Sequence, residues 1–177
     1  MSIIYLETPR LRLRQFTSGD LDALWQLDQD PAVMRYLGGK ATPCEDVRDR
    51  ILPKFLAFYA EGPNYGFWAA ESLIDGSFLG WFHFRPPMEE DVAGIELGYR
   101  LRQEAWGQGF ATEGSLAIIA KAFDELGIER VVAKTLKENA ASRRVMEKCG
   151  MNFVSEFIEH RIDPPTPAVW YAIDRVR

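Results

Sequence analysis

A single strand–helix–strand unit in the second half of the chain constrains the fold more than any other feature of the sequence. Apolar residues predict a strand over about 94–101, a helix from about 110 to 126 and a strand over about 130–135. A crossover of this kind makes two strands of one sheet parallel, with a right-handed connection. Hairpin-linked strands precede the unit, and they favour antiparallel pairing. The sequence therefore predicts an α/β (α+β) fold with a mixed, mostly antiparallel sheet.

Shorter elements surround this unit. Thr42-Pro43-Cys44-Glu45 predicts a helix start, with Thr42 as the cap, Pro43 at the first helical position and Glu45 completing a capping box. The other predicted elements are a strand over about 10–16, a helix capped within 17–20, a helical turn through Met34 and Tyr36, strands near 66–71, 78–85, 153–160 and 168–173, and a helix over 140–149. We expect about four helices. With 177 residues and no repeat or linker, we expect one domain over residues 1–177.

The charge of the chain limits the classes of molecule that it is expected to bind. The net charge of −5 argues against a nucleic-acid-binding protein. Residues 128–148 carry a local excess of positive charge, because they hold six basic and three acidic residues. This local excess fits either a small anionic ligand or an ordinary solvated helix face.

Cysteine, histidine and hydropathy patterns exclude several other classes. Cys44 and Cys149 form no CxxC pattern, and with the distant His83 and His160 they predict no metal site. The N-terminus lacks the basic and apolar regions of a signal peptide, and no apolar stretch approaches the ~20 residues that span a bilayer. We therefore expect a cytoplasmic protein without a membrane segment.

The strongest local motif is Trp106-Gly107-Gln108-Gly109-Phe110-Ala111-Thr112-Glu113, which joins the predicted strand to the predicted helix. Glycines let the backbone turn sharply, and a helix N-terminus offers free N–H groups to phosphate. The Gly-Lys-Ser/Thr of a P-loop is absent, and Thr112 stands where a Rossmann fingerprint has its third glycine. A glycine-rich corner without a ligand stays an alternative for this motif alone.

A second motif, Asn139-Ala140-Ala141-Ser142, opens the next helix, which ends at Lys148-Cys149-Gly150-Met151. Taken alone, Asn139 is explained as a helix N-cap. Together with the glycine-rich motif, however, it forms part of an ordered set.

That set resembles the GNAT superfamily of acetyltransferases, especially its RimJ/RimL-like branch of ribosomal-protein N-terminal acetyltransferases. The resemblance covers nearly the whole chain. Its motifs are Glu7-Thr8-Pro9-Arg10-Leu11-Arg12-Leu13-Arg14, Ile95-Glu96-Leu97-Gly98-Tyr99, the segment from Trp106 to Glu113, Asn139-Ala140-Ala141-Ser142 and Glu147-Lys148-Cys149-Gly150-Met151. It implies a GNAT fold, in which two parallel strands splay apart, and acetyl-CoA as the co-substrate.

The resemblance also implies cofactor-binding residues. Backbone amides of the glycine-rich motif would hold the coenzyme pyrophosphate, and Trp106 replaces the usual Gln/Arg at the first position. Pantetheine would lie along strand 94–101 as an added strand. The residues expected to bind the coenzyme are Leu97, Tyr99, Leu101, Trp106, Gly107, Gln108, Gly109, Phe110, Ala111, Thr112, Asn139, Ser142 and Arg144.

Two residues are predicted to be catalytic. Glu96 lies on the strand expected to hold the thioester, with its side chain opposite to Leu97, and is the candidate general base. The family's usual tyrosine proton donor is replaced by Met146, so the resemblance assigns the leaving thiolate to the Ser142 hydroxyl. A solvated Glu96 and a first-turn helix serine are the structural alternatives. His83 is a second candidate base, or a hydrogen-bonded strand histidine.

The predicted reaction is transfer of acetyl from acetyl-CoA to a primary amine by direct attack in a ternary complex, with a protein N-terminal α-amine favoured. The alternatives are acetylation of a small-molecule amine, a non-catalytic acyl-CoA sensor and a dinucleotide-binding oxidoreductase. Tyr36, Trp81 and Tyr99 are candidates for lining the acceptor cleft, although aromatic residues are mostly core. The acidic run Glu89-Glu90-Asp91 either attracts a cationic acceptor or is a solvated loop. A homodimer is compatible with the sequence.

Overall fold

A computed structural model describes residues 3–89 and 91–176, and one sheet dominates it. Within those residues the strands are Ile4–Glu7 (β1), Leu11–Gln15 (β2), Gly66–Ser72 (β3), Phe78–Arg85 (β4), Ile95–Leu101 (β5), Arg130–Leu136 (β6), Asn152–Glu159 (β7) and Thr166–Asp174 (β8). They form an eight-stranded sheet in the order β1-β2-β3-β4-β5-β6-β8-β7. Only the β5–β6 pair is parallel among these strands. The prediction of a mixed, mostly antiparallel sheet is confirmed.

Helices cover both faces of the sheet. In the described part of the chain they are Leu21–Leu27 (α1), Pro31–Met34 (α2), Cys44–Asp46 (α3), Leu52–Phe58 (α4), Phe110–Asp124 (α5) and Ala140–Lys148 (α6). A π-helical turn, Val47–Ile51, joins α3 to α4. None of the described helices is long and apolar enough to cross a membrane.

Alternation along the strands builds two cores, one on each face. Leu13, Phe82 and Leu97 face α5 and pack in a cluster with its Ile118. Phe67 and Trp81 face the other way and pack with residues of α1 and α4. Successive side chains of β5 therefore alternate between the face covered by α5 and the face covered by α1 and α4.

The parallel strands separate soon after they meet. Their register includes only Ile95 opposite Val131 and Glu96 opposite Val132. Beyond that point β5 continues beside β4, and β6 continues beside β8. The splayed pair that the resemblance implied is therefore present, and it leaves the β5 edge open over residues 97–101.

Two local predictions were wrong. The N-terminal strand prediction missed β1, which pairs with β2 in an antiparallel hairpin. The capping box at Thr42 is absent, because α3 begins at Cys44 with Pro43 as its N-cap residue. The Thr42 hydroxyl instead donates to the carboxylate of Asp28, at 3.3 Å. A tertiary partner therefore competes with the local cap.

Candidate active site

The glycine-rich loop forms the N-terminal end of α5. Gly107 and Gly109 have φ angles of 71° and 85°, in the left-handed region that favours glycine. Gly109 is the N-cap residue, so the first amides of the helix have no partner within it. The Trp106 indole donates to the Leu101 carbonyl at 2.9 Å, which fixes the start of the loop. The loop has the features of an anion site.

The N-terminal motif anchors this loop, a role that sequence analysis did not assign. Arg10 donates through Nε to Glu113 Oε2 at 2.6 Å and through Nη1 to the Gln108 carbonyl at 2.9 Å. Thr8 Oγ1 donates to Glu113 Oε1 at 2.6 Å. The Arg10 guanidinium also lies 4.6 Å above the Phe110 ring. About a hundred residues separate the two segments in sequence, so no local pattern indicates this contact.

Two of the predicted coenzyme-binding residues on β5, Leu97 and Leu101, can offer a ligand only their backbone groups. Leu97 and Leu101 are buried in the α5-facing core, so their side chains are not available to a ligand. Their backbone groups belong to the open edge, which suits binding of an extended amide chain. Phe110 is likewise a core residue, whereas Ala111 and Thr112 are half-buried.

The two hydroxyls of Tyr99 and Ser142 meet where β5 approaches α6. Their oxygen atoms lie 3.1 Å apart. Burial raises the pKa of Tyr99 to about 12, so its hydroxyl stays protonated. Asn139 caps α6 by accepting a hydrogen bond from the Ser142 amide at 3.2 Å, as the local interpretation proposed. Met146 is buried in the core.

Arg143 and Arg144 of α6 have different surroundings. Arg143 donates to the Tyr171 hydroxyl at 3.2 Å, and therefore lies against β8. Arg144 is exposed and contacts the Ala140 carbonyl at 3.4 Å. Of these two, Arg144 is the residue available to a bound anion.

Glu96 is buried, so the alternative of a solvated strand glutamate is wrong. Only 5% of its side chain is exposed, and Oε2 lies 3.1 Å from Arg85 Nη2. Burial raises the pKa of this carboxyl, but the Arg85 charge opposes burial, and the net pKa is lowered. Glu96 is therefore an ionised carboxylate near the point where β5 and β6 separate.

His83 lies beside Glu96, with Nε2 3.7 Å from Glu96 Oε1, beyond hydrogen-bond distance. Neither ring nitrogen has a hydrogen-bond partner among the described residues, so the alternative of a hydrogen-bonded strand histidine is wrong. Burial lowers the pKa of His83, which keeps the imidazole neutral. A Cβ at Gly98 would lie 2.4 Å from His83 Cε1, so only glycine leaves room for this ring.

A cavity of about 370 Å³ opens on the same face of the sheet, between α1, α4 and strands β3–β5. Its walls are aromatic and charged: Phe55, Phe67, Trp81, Asp28, Arg50, Lys54 and Arg100, with Leu24 and Ile51. The rings of Phe67 and Trp81 also pack against His83, with centroids 5.4 and 5.9 Å away. Two residues of the cavity wall therefore contact His83, whose side chain lies on the same face of the sheet as that of Glu96.

The acidic loop does not carry free charge at Glu89. Its carboxylate accepts a hydrogen bond from Lys134 at 2.6 Å and pairs with Arg161. Glu89 is therefore neutralised by its two partners, whereas Asp91 is exposed, and attraction of a cationic acceptor by the acidic run stays a prediction. Glu90 lies outside the described residues.

A family model described as an acetyltransferase (GNAT) domain matches residues 10–152. The chain belongs to the GNAT acetyltransferase family. The match spans the anchoring Arg10, the glycine-rich loop and the whole of α6.

Similar proteins agree with this assignment. The acetyltransferase is 31% identical over 170 residues to the FsC-acetyl coenzyme A-N(2)-transacetylase of Aspergillus fumigatus, covering 93% of this chain and 71% of that protein. It is 33% identical over 150 residues to the uncharacterized protein YkkB of Bacillus subtilis, with 84% and 85% coverage. The solved structure of RimL, a ribosomal L7/L12 alpha-N-protein acetyltransferase in complex with coenzyme A, shares the fold with a TM-score of 0.81, 19% identity and coverage of 97% and 98%.

The residues present fit the co-substrate of this family, acetyl-CoA. A glycine loop at a helix N-terminus suits its phosphates, and the open β5 edge suits its amide-containing arm. The protein is therefore an acetyl-CoA-dependent acetyltransferase. The described residues contain no group of three or more metal-ligating side chains.

Proposed function

We propose that this acetyltransferase acetylates the α-amine of a protein N-terminus, by direct attack of the amine on the thioester in a ternary complex. The observation that carries the proposal is the buried, ionised Glu96, which lies near the point where β5 and β6 separate and beside His83, whose ring packs against Trp81 of the cavity wall. A carboxylate there is placed to take the proton that the amine loses.

The lowered pKa of Glu96 limits which amines suit the site. A carboxylate held ionised by Arg85 is a weak base, so it favours an amine that is already partly neutral. With a pKa near 7.8, about one α-amine in seven is neutral at pH 7, against about one lysine amine in 2,500. The neutral His83 adds a second proton acceptor next to Glu96. The N-terminal amine therefore matches this apparatus better than a lysine side chain.

Other residues act on the coenzyme side of the reaction. Bound acetyl-CoA supplies the acyl group and the thiolate leaving group. We assign phosphate binding to the free amides from Gly107 to Thr112, with Arg144 as an accessory cation. We assign the hydrogen bond to the departing sulfur to the Ser142 and Tyr99 hydroxyls, whose oxygen atoms lie 3.1 Å apart. Burial raises the pKa of the Cys149 thiol to about 11, which makes an acyl-cysteine intermediate at this residue unfavourable and supports direct transfer.

The RimJ/RimL-like motifs and the acceptor of RimL, a ribosomal protein, support a cytoplasmic enzyme with a protein N-terminus as acceptor. The second candidate acceptor is a small-molecule amine. It is favoured by the relative from Aspergillus fumigatus, whose name gives FsC as the acetylated molecule.

The experiment compares kcat/KM for peptides with a free N-terminus and for the same peptides N-blocked and carrying one internal lysine. We expect acetylation of the free N-termini. Preference for the blocked lysine peptides would contradict the proposal. Activity only on small-molecule amines would select the second candidate.

A further inference from the structure

The cavity beside His83 carries more positive than negative charge, although the whole chain has a net charge of −5. Its charged residues are Arg50, Lys54, Arg100 and Asp28. Asp28 is neutralised by Arg100, with Oδ1 2.5 Å from Nη1. Arg50 is paired with Asp46 at 2.9 Å, outside the cavity wall. Lys54 is exposed and has no ion-pair partner among residues 3–89 and 91–176.

Two further donors in the same wall lack acceptors. The indole Nε1 of Trp81 and the guanidinium Nε of Arg100 are buried, and neither has a hydrogen-bond partner within the described chain. The two side chains are cross-strand neighbours, with the Arg100 guanidinium 5.0 Å above the Trp81 ring. Buried donors without acceptors are costly, so they indicate a group that arrives with the ligand. An anionic oxygen would satisfy both donors and the Lys54 charge.

The spacing along β5 sets the shape of that ligand. Arg100 follows Glu96 by four residues, so both side chains face the cavity side of the sheet, about 13 Å apart along the strand at ~3.3 Å per residue. An extended peptide advances by a similar length per residue. Because the acidic side chain and those of Lys54 and Arg100 cover part of this distance, an amine at Glu96 leaves a carboxylate at the second, third or fourth residue within their reach.

We propose that this cavity binds a carboxylate of the acceptor, and that the preferred acceptors are N-termini with an acidic residue at position 2, 3 or 4. The inference rests on the proposed function, since it takes the α-amine to lie at Glu96. The acidic side chain pairs with Lys54 and accepts hydrogen bonds from the donors of Trp81 and Arg100.

The test uses six-residue alanine-based peptides with glutamate at position 2, 3 or 4, and matched peptides with glutamine or lysine there. Lys54 is the residue to change, because replacing Arg100 would leave the buried Asp28 carboxylate unpaired. The variants are Lys54→Gln and Lys54→Glu, with Lys40→Gln as a control, because Lys40 is also exposed and does not line the cavity.

We expect the wild-type kcat/KM to favour the best glutamate peptide over its glutamine counterpart by about five- to tenfold. The ratio should approach one in Lys54→Gln and persist in Lys40→Gln. Lys54→Glu should favour the lysine peptide. Equal rates for glutamate and glutamine peptides in the wild type would overturn this inference while leaving α-amine acetylation intact.

A binding measurement keeps the two proposals separable. Calorimetry of the glutamate and glutamine peptides with the CoA-saturated protein gives the same comparison without turnover. If no peptide is acetylated, the proposed acceptor class is wrong. The anion subsite is then tested with a small amine that carries a carboxylate and with the corresponding primary amide. Equal binding of the two compounds would contradict the anion subsite.

Discussion

The hydroxyl oxygens of Tyr99 and Ser142 lie 3.1 Å apart and connect β5 to the first turn of α6. Tyr99 projects from the part of β5 that no longer pairs with β6, and Ser142 is held by the Asn139 cap. Because burial raises the pKa of Tyr99 to about 12, the pair keeps two O–H groups at neutral pH. The GNAT resemblance predicts that Ser142 contacts the leaving sulfur, because Met146 replaces the usual tyrosine of the helix.

Ser142→Ala should slow the chemical step by about tenfold, since a thiol pKa near 8.5 makes the thiolate a fair leaving group that needs only modest help. Tyr99→Phe should have a similar or smaller effect. Single-turnover rates at saturating acetyl-CoA measure this step. Full activity in both variants would mean that the thiolate leaves unaided or that another group protonates it.

Gly109→Val should abolish most coenzyme binding, because the valine side chain intrudes on the anion site and disfavours the φ of 85°. A Cβ there would also lie 3.3 Å from Arg10 Nη2. Gly127→Val is the matched control, since Gly127 has a φ of 65° at the opposite end of α5 and no atom near its Cβ position. Calorimetric titration with CoA measures both. Equal affinity in the two variants would contradict the loop assignment.

Glu96→Gln should lower kcat by about 10²–10⁴-fold without changing coenzyme affinity, because it removes the proton acceptor and not the coenzyme site. The lowered pKa of Glu96 means that the base is already ionised above acidic pH, so the wild-type rate should rise with pH as the acceptor amine deprotonates. The pH dependence of kcat/KM checks this. A variant with wild-type turnover at every pH would remove Glu96 from the mechanism.

The ion pairs of Glu159 predict how the stability of the folded protein changes at acidic pH. Burial raises its pKa, but hydrogen bonds from Arg161 and Lys134 outweigh this and bring the pKa to about 2. A depressed folded-state pKa adds stability above the unfolded value near 4.5, and this stability is lost as pH falls toward 2. Glu159→Gln should therefore destabilise the protein by about 1 kcal/mol at pH 7, with the difference vanishing near pH 2.

Urea unfolding across this pH range measures the difference. Glu156→Gln is the control, because Glu156 is half-exposed on the same strand and pairs only with Lys137 in the described chain. A difference for Glu159→Gln that does not change with pH would contradict the ion-pair explanation.

Local sequence patterns were sufficient to predict most of the helices and strands. The strand near 94–101 and the helix near 110–126 correspond to β5 and α5, because apolar periodicity and the glycines at 107, 109 and 127 act over one element. Parity along β5 also predicted that Glu96 lies opposite Leu97. The roles assigned to the coenzyme and catalytic residues stay predictions.

Local sequence patterns did not predict how deeply the site side chains are buried or which distant residues they contact. Nothing near Glu96 in the sequence indicates that Arg85 compensates its charge or that His83 lies over Gly98, since those contacts depend on the register of β4 against β5. Thr42 shows the same limit, because the buried Asp28 competes for its hydroxyl.

The sequence by itself determined the order of elements, the splayed strand pair by resemblance and the glycine loop, all features encoded in neighbouring residues. Only the tertiary structure decided that Arg10 holds Glu113, that Tyr99 meets Ser142, and that Trp81 and Arg100 leave unpaired donors in a basic cavity. The reason is physical: a hydrogen bond or a pKa depends on which distant side chains packing brings within a few ångströms, and on how much water packing excludes.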